Sequence, residues 1–216
     1  MEKVPTRRER LKLAVQHLRR ADPVMRRVID HVGPCTLKCE RDRFWMLVRS
    51  IISQQISTAA ARTVRDRVVS LVEDCSGSKR VTPESLLAHS VDELRLAGCS
   101  QRKAEYMLDL AKKVDNGEVA LAKIGRLSNE DVIKALVQVR GIGRWTAEMF
   151  LMFSLGRLDV FPVDDLGVRN AMLKLYELET PVSHDDFRGI AEKWQPYASI
   201  GSWFCWRSLE TDIPQS

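Results

Sequence analysis

The stretch Ser128–Asp165 constrains this chain more than any other: SNEDVIKALVQVRGIGRWTAEMFLMFSLGRLDVFPVDD. Ser128 is a helix N-cap residue, with Asp131 in the capping-box place three residues on. Val132, Ala135, Leu136 and Val139 then recur at helical spacing. The turn Val139-Arg140-Gly141-Ile142-Gly143 holds two glycines that are free to take positive φ. A second helix follows, with Trp145, Met149, Met152 and Phe153 on one face. The pattern predicts two helices joined by a glycine turn.

Such a turn can bind phosphate. Glycines admit a close approach to the backbone, and the free N–H groups that open the second helix point at an anion. Arg144 adds positive charge there. An ordinary helical turn would read the same way. Downstream, the apolar loop Leu158–Val163 leads into Asp164 and Asp165, and Leu166-Gly167-Val168-Arg169 starts another helix. A carboxylate in a first helical turn is kept ionised by the helix dipole. It can stabilise a cation or activate water, or it can simply cap the helix.

The rest of the chain is helical in pattern. Helices are predicted over 7–20, from Pro23 to about Gly33 (with Asp22 as N-cap), and from Arg41 with Phe44, Leu47, Val48, Ile51 and Ile52 as its buried stripe. Gln54-Gln55 interrupts two buried helices, and a core does not take such a pair, so a surface turn is expected before the cap Ser57. Residues 74–83 read as a loop. Short helices are predicted at Pro83–Ala88 and Val91–Leu96, and Ser100 caps a longer one bearing Ala104, Met107, Leu108, Ala111 and Val114. Three more are expected near 165–179, 183–194 and 196–209. No alternating strand pattern and no internal repeat interrupts this reading, so the fold class is all-α.

The net charge of +5 is uneven: residues 1–50 carry 13 Lys and Arg against 6 Asp and Glu. A basic end suits a polyanion, although solvated helix faces would look alike. With 44% hydrophobic residues and no apolar run of membrane-spanning length, the chain reads as a globular protein off the membrane, without a signal peptide. Its five cysteines are scattered and odd in number, which suits a reducing compartment. Cys35 and Cys39 have no second pair with which to complete a zinc site.

The string LVQVRGIGRWTAEMF followed by DVFPVDD resembles the helix-hairpin-helix DNA glycosylases, which have a Gly/Pro-rich loop and a catalytic aspartate. It is most similar to their 3-methyladenine (alkylpurine) branch. LRLAGCSQRKAEYMLDLA and the string from Trp194 to Arg207 carry the resemblance further, so that it runs from about Arg41 to Arg207. The resemblance implies two helical lobes with a cleft between them: residues 35–156 as a six-helix lobe ending in the hairpin, and 1–34 with 157–216 as the second lobe, with no extra N-terminal β domain. It implies a monofunctional enzyme of base excision repair that flips an alkylated purine from double-stranded DNA, hydrolyses its glycosidic bond and leaves an abasic site. The enzyme would act as a monomer, in bacterial cytoplasm or nucleoid or in a eukaryotic nucleus.

By the same resemblance, Asp165 is the catalytic acid, in a register one residue from Asp164. Trp145, Met149 and Trp203 line the base pocket, and Trp206 packs in the core. Gln55 matches the wedge that enters the minor groove. DNA contacts fall to Gln54, Gln55, Arg102, Lys103, Gly141, Gly143, Arg144 and Thr146. The carbonyls of Val137, Val139 and Ile142 match a structural site for Na⁺ or K⁺. No iron–sulfur cluster is expected, since only Cys205 lies in the C-terminal region. Trp145 stands where strand-cutting relatives carry their Schiff-base lysine. Ala198 and Met149 depart from the Arg and aromatic residues common in relatives, which bears on substrate range. The competing readings are a sibling specificity (uracil, mismatched or oxidised bases) and a non-catalytic DNA-binding module.

Overall fold

A computed structural model describes residues 5–73, 80–211 and 213. In chain order the helices are α1 (Arg7–Ala21), α2 (Pro23–Val32), α3 (Arg43–Ser53), α4 (Thr58–Leu71), α5 (Pro83–Leu87), α6 (Val91–Leu96), α7 (Gln101–Asp115), α8 (Asn129–Leu136), α9 (Arg144–Phe153), α10 (Leu166–Leu175), α11 (His184–Ala191) and α12 (Ala198–Ser208). Short 3-10 turns lie at Ile124–Arg126 and Glu192–Trp194. There is no strand among the described residues, and no helix among them is long and apolar enough to cross a membrane.

The caps explain where the helices start. Ser57, Ser100 and Ser128 each accept a backbone N–H from three residues on. Asp22 caps α2 with Pro23 in the first turn. The third helix begins at Arg43 and not at Arg41, because the Asp42 carboxylate accepts the Trp45 N–H and so ends the preceding loop. Of the loop expected at 74–83, residues 74–79 lie outside the described part, and Pro83 already belongs to α5.

The chain forms two compact units, one of Met1–Cys39 with Gly156–Ser216 and the other of Glu40–Leu155. In the second unit, Leu47, Val48, Ile51 and Ile52 of α3, Ala104, Met107 and Leu110 of α7, Leu136 of α8 and Phe150 of α9 are fully buried. In the first, α12 packs on α2 and α10 around Met25, Val28, Trp194 and Phe204. A buried carboxylate ties this core together. Asp22 Oδ1 accepts the N–H groups of Val24 (2.9 Å) and Met25 (3.2 Å), while Oδ2 accepts Tyr176 Oη–H (2.5 Å) and Trp194 Nε1–H (3.0 Å). Four donors offset the desolvation of a group only 1% exposed. Burial, together with the Asp22 charge, pushes the Tyr176 hydroxyl far above its ordinary pKa, so it stays a donor.

Candidate functional site

The glycine turn joins α8 to α9. Gly141 has φ +82°, and a Cβ there would overlap the Tyr106 ring of α7. Only glycine fits both conditions. Gly143 does not use the freedom to take positive φ. It is extended (φ −93°, ψ 176°) as the N-cap of α9, and a Cβ would meet nothing within 4 Å. Among the described residues nothing crowds a side chain at this position, so packing does not call for a glycine here. No side-chain hydrogen bond caps α9, and the first N–H groups of a helix have no acceptor within it; Thr146, in that first turn, is itself buried.

The seventh helix supports the turn from below. Asp109 Oδ2 accepts the Arg140 N–H at 2.9 Å and Lys113 Nζ at 2.8 Å. Burial alone would raise the Asp109 pKa, but the hydrogen bonds from Lys113 and Arg140 overcome it and hold the group below the usual carboxylate value.

Several cationic or polar heads expected on DNA are engaged within the protein. Arg144 pairs with Glu130 (2.5 Å) and with the buried Glu148 (3.1 Å), and its hydrogen bond to Glu130 raises its pKa further. Lys103 Nζ donates to the Ile52 carbonyl at 2.8 Å, and burial lowers its pKa. Gln54 Nε2 donates to the Gly141 carbonyl at 2.8 Å. Arg102 is exposed, and so is Gln55, which is left-handed at φ +54°.

Beside Gln54 and Gln55 opens a pocket of about 460 Å³, walled by Met46, Arg49, Ser50, Trp145 and Met149 among others. Two of the residues expected to line a base pocket therefore share one cavity. Trp145 is 42% exposed, which suits a face offered to a ligand and not core packing.

In the other unit, Asp165 caps α10. It is 7% exposed, and its Oδ1 accepts both the Val168 N–H and Trp206 Nε1–H, each at 2.8 Å. Asp164 is exposed instead, with its carboxylate 3.7 Å from His184 Nδ1. Trp206 is a correction to the core role expected of it: it is half-buried and serves as a hydrogen-bond donor to the buried acid. An indole N–H next to a carboxylate finds its partner there, and residues three apart on α12 share nearly one face, so periodicity does not separate Trp203 from Trp206. Trp203, expected to line the base pocket, is 9% exposed and packs edge-on against Phe204. Gly167 makes room for the contact between Trp206 and Asp165, since a Cβ would come to 3.0 Å from the Trp206 ring.

Ser199 also went unread in the sequence. Its Oγ accepts the Val160 N–H at 2.9 Å, its N–H donates to the Leu158 carbonyl at 3.0 Å, and the Ala198 N–H donates to Asp159 at 3.2 Å. The loop that delivers Asp165 is thereby stitched to the start of α12.

The chain is similar to several known proteins. A Bacillus subtilis relative is 32% identical over 186 residues, covering 85% of this chain but 61% of its own length. The Schizosaccharomyces pombe protein named DNA-3-methyladenine glycosylase 1 is 31% identical over 196 residues, covering 89% of this chain and 85% of the relative. The solved structure of an S. pombe 3-methyladenine DNA glycosylase in complex with abasic DNA superposes with a TM-score of 0.82 at 30% identity, over 94% of this chain and all of that one. Residues 48–196 match the family described as HhH-GPD superfamily base excision DNA repair protein, and with the match spanning most of its length the chain belongs to that family.

Proposed function

We propose that the protein is a monofunctional DNA glycosylase that hydrolyses the N-glycosidic bond of alkylated purines in double-stranded DNA, leaving an abasic site. The observation that carries this reading is the state of Asp165: a nearly buried carboxylate whose Oδ1 is held by the Val168 and Trp206 N–H groups at the opening of α10. A carboxylate so placed opposes the positive charge that develops at C1′ as the bond breaks, through an electrostatic interaction fixed before the reaction begins. The yeast relatives and their names support the substrate class.

A 3-methyladenine or 7-methylguanine base already carries positive charge and leaves without a strong general acid. Hydrolysis then needs one carboxylate and a water. The half-exposed Trp145 offers its face to a cationic base, a contact worth about 0.5–2 kcal/mol. A tryptophan in the place of the lyase lysine supports base release without strand cutting. Before that step the base must leave the stack, at a cost of a few kcal/mol that is least at damaged pairs. The Gly143 backbone and the first N–H groups of α9 hold a phosphate, Gln55 enters the duplex, and Arg102 adds a contact to the backbone.

The carbonyls of Val137, Val139 and Ile142 suit a monovalent cation of the Na⁺ or K⁺ kind. They stand at the C-terminal end of α8 and in the turn after it, where carbonyls lack helical partners and the dipole favours positive charge. Val139 accepts the Ile142 N–H at 3.1 Å and keeps a second lone pair. A bound ion would brace the turn and add charge opposite a phosphate.

The test is base release from methylated duplex DNA. The wild type is expected to release 3-methyladenine and 7-methylguanine, Asp165→Asn to lose roughly 10²–10³-fold in rate with binding kept, and Asp164→Asn to stay near wild type. Release that survives in Asp165→Asn overturns the assignment of the acid. Tight binding with no release from any methylated duplex overturns the substrate class.

A further inference from the structure

After α3 the chain reverses over two glutamines that do different work. Gln55 is exposed and left-handed, at φ +54°. Gln54 is half-buried, and its Nε2–H donates to the Gly141 carbonyl across 87 residues of sequence, at 2.8 Å. Two further links run between the same parts of the fold. Lys103 Nζ donates to the Ile52 carbonyl at the end of α3, at 2.8 Å. Three residues along α7, the Tyr106 ring lies where a Gly141 Cβ would be. The glutamine turn, α7 and the glycine turn therefore close a ring of contacts.

We propose that Gln54 is a positioning residue. Its amide holds the Gln55 turn at a fixed distance from the glycine turn, so that the residue entering the duplex and the backbone gripping the phosphate act as one rigid piece. The inference rests on the function proposed above, and it assigns Gln54 a task other than touching DNA. The physical argument is one of preorganisation. Extruding a base needs force at the helix interior while the adjacent phosphate is held. If the two parts could slide past each other, part of the binding energy would go into ordering them. The amide head of Gln54 already donates one N–H to the Gly141 carbonyl, and that bond fixes the place of the head and of the turn that carries it.

The test is insertion into a duplex that carries an abasic analogue flanked by a fluorescent aminopurine, read as aminopurine unstacking at saturating protein so that affinity drops out. Gln54→Met keeps the apolar stem and removes the donor. It is expected to lower the insertion equilibrium about tenfold, the scale of one hydrogen bond to a backbone carbonyl. In a Gln55→Ala background the same change should alter the signal by no more than about twofold, because two residues acting through one step are not additive. Gln54→Lys, whose ammonium can reach the same carbonyl, should restore insertion. Equal tenfold losses in both backgrounds would mean that Gln54 meets DNA on its own account and would overturn the proposal. An unchanged Gln54→Met, or a Gln54→Lys that restores nothing, would overturn it too. A wild type that neither inserts nor releases methylated bases would instead overturn the functional reading on which it rests.

Discussion

Gly141 and Gly143 stand two residues apart and answer to different constraints. Gly141→Ala would strain a left-handed backbone and drive a methyl into the Tyr106 ring. It is expected to cost more than about 1 kcal/mol in chemical unfolding as well as DNA affinity. Gly143→Ala meets open space on an allowed backbone. Its stability should stay within about 0.5 kcal/mol of wild type, while affinity for duplex DNA falls about tenfold in a titration. If both variants lose stability equally, Gly143 serves the fold and not a ligand. At the same scale, Trp206→Phe removes one of two donors on Asp165 Oδ1 while keeping a ring in place. Single-turnover base release should drop by about tenfold with the dissociation constant unchanged. A rate equal to wild type would mean that the Trp206 N–H is not needed to hold the carboxylate.

At the scale of elements, the glycine turn is only as firm as α7 beneath it. Asp109 is the link: it accepts the Arg140 N–H and pairs with Lys113. Its folded pKa lies below the ordinary value. The stability this gives is fully present above the unfolded pKa of about 3.9 and is lost as pH falls through the lower folded value. Asp109→Asn should therefore be less stable than wild type at neutral pH by about 1–2 kcal/mol. The gap should close as the pH drops below about 4, in urea unfolding curves measured across pH. A gap that persists at low pH would place the effect in packing rather than in charge. Helix ends were the most legible feature of the sequence, because a cap acts over three residues. Ser57, Ser100, Ser128 and the Asp22-Pro23 pair all work as their positions suggest. The apolar stripe of α3 does not mark its first residue: the helix starts at Arg43, two residues after the expected Arg41, where the Asp42 side chain caps it.

For the whole molecule, the net charge of +5 says that a polyanion is welcome without saying which cations would meet it. The structure sorts them. Arg102 and Arg144 are both exposed, but Arg144 is paired with Glu130 and Glu148. Binding to duplex DNA should weaken with salt, and Arg102→Gln should lower the slope of log K against log salt by about one. Arg144→Gln should leave that slope nearly unchanged and act on stability instead. If Arg144→Gln flattens the slope as much as Arg102→Gln, a phosphate displaces Glu130 in the complex.

What the sequence determined by itself is local and periodic: an all-helical chain, the caps that begin its helices, the glycine turn, and an acid opening the helix after a Pro-containing loop. These depend on residues within a few positions of one another, where spacing is geometry. What only the tertiary structure decided are the partners of the polar groups. Trp206 reaches Asp165 across 41 residues, Gln54 reaches Gly141 across 87, and Tyr176 and Trp194 reach Asp22 across 154 and 172. A buried donor or acceptor must be satisfied, but which distant group satisfies it follows from how the helices pack, and no one-dimensional pattern encodes that choice.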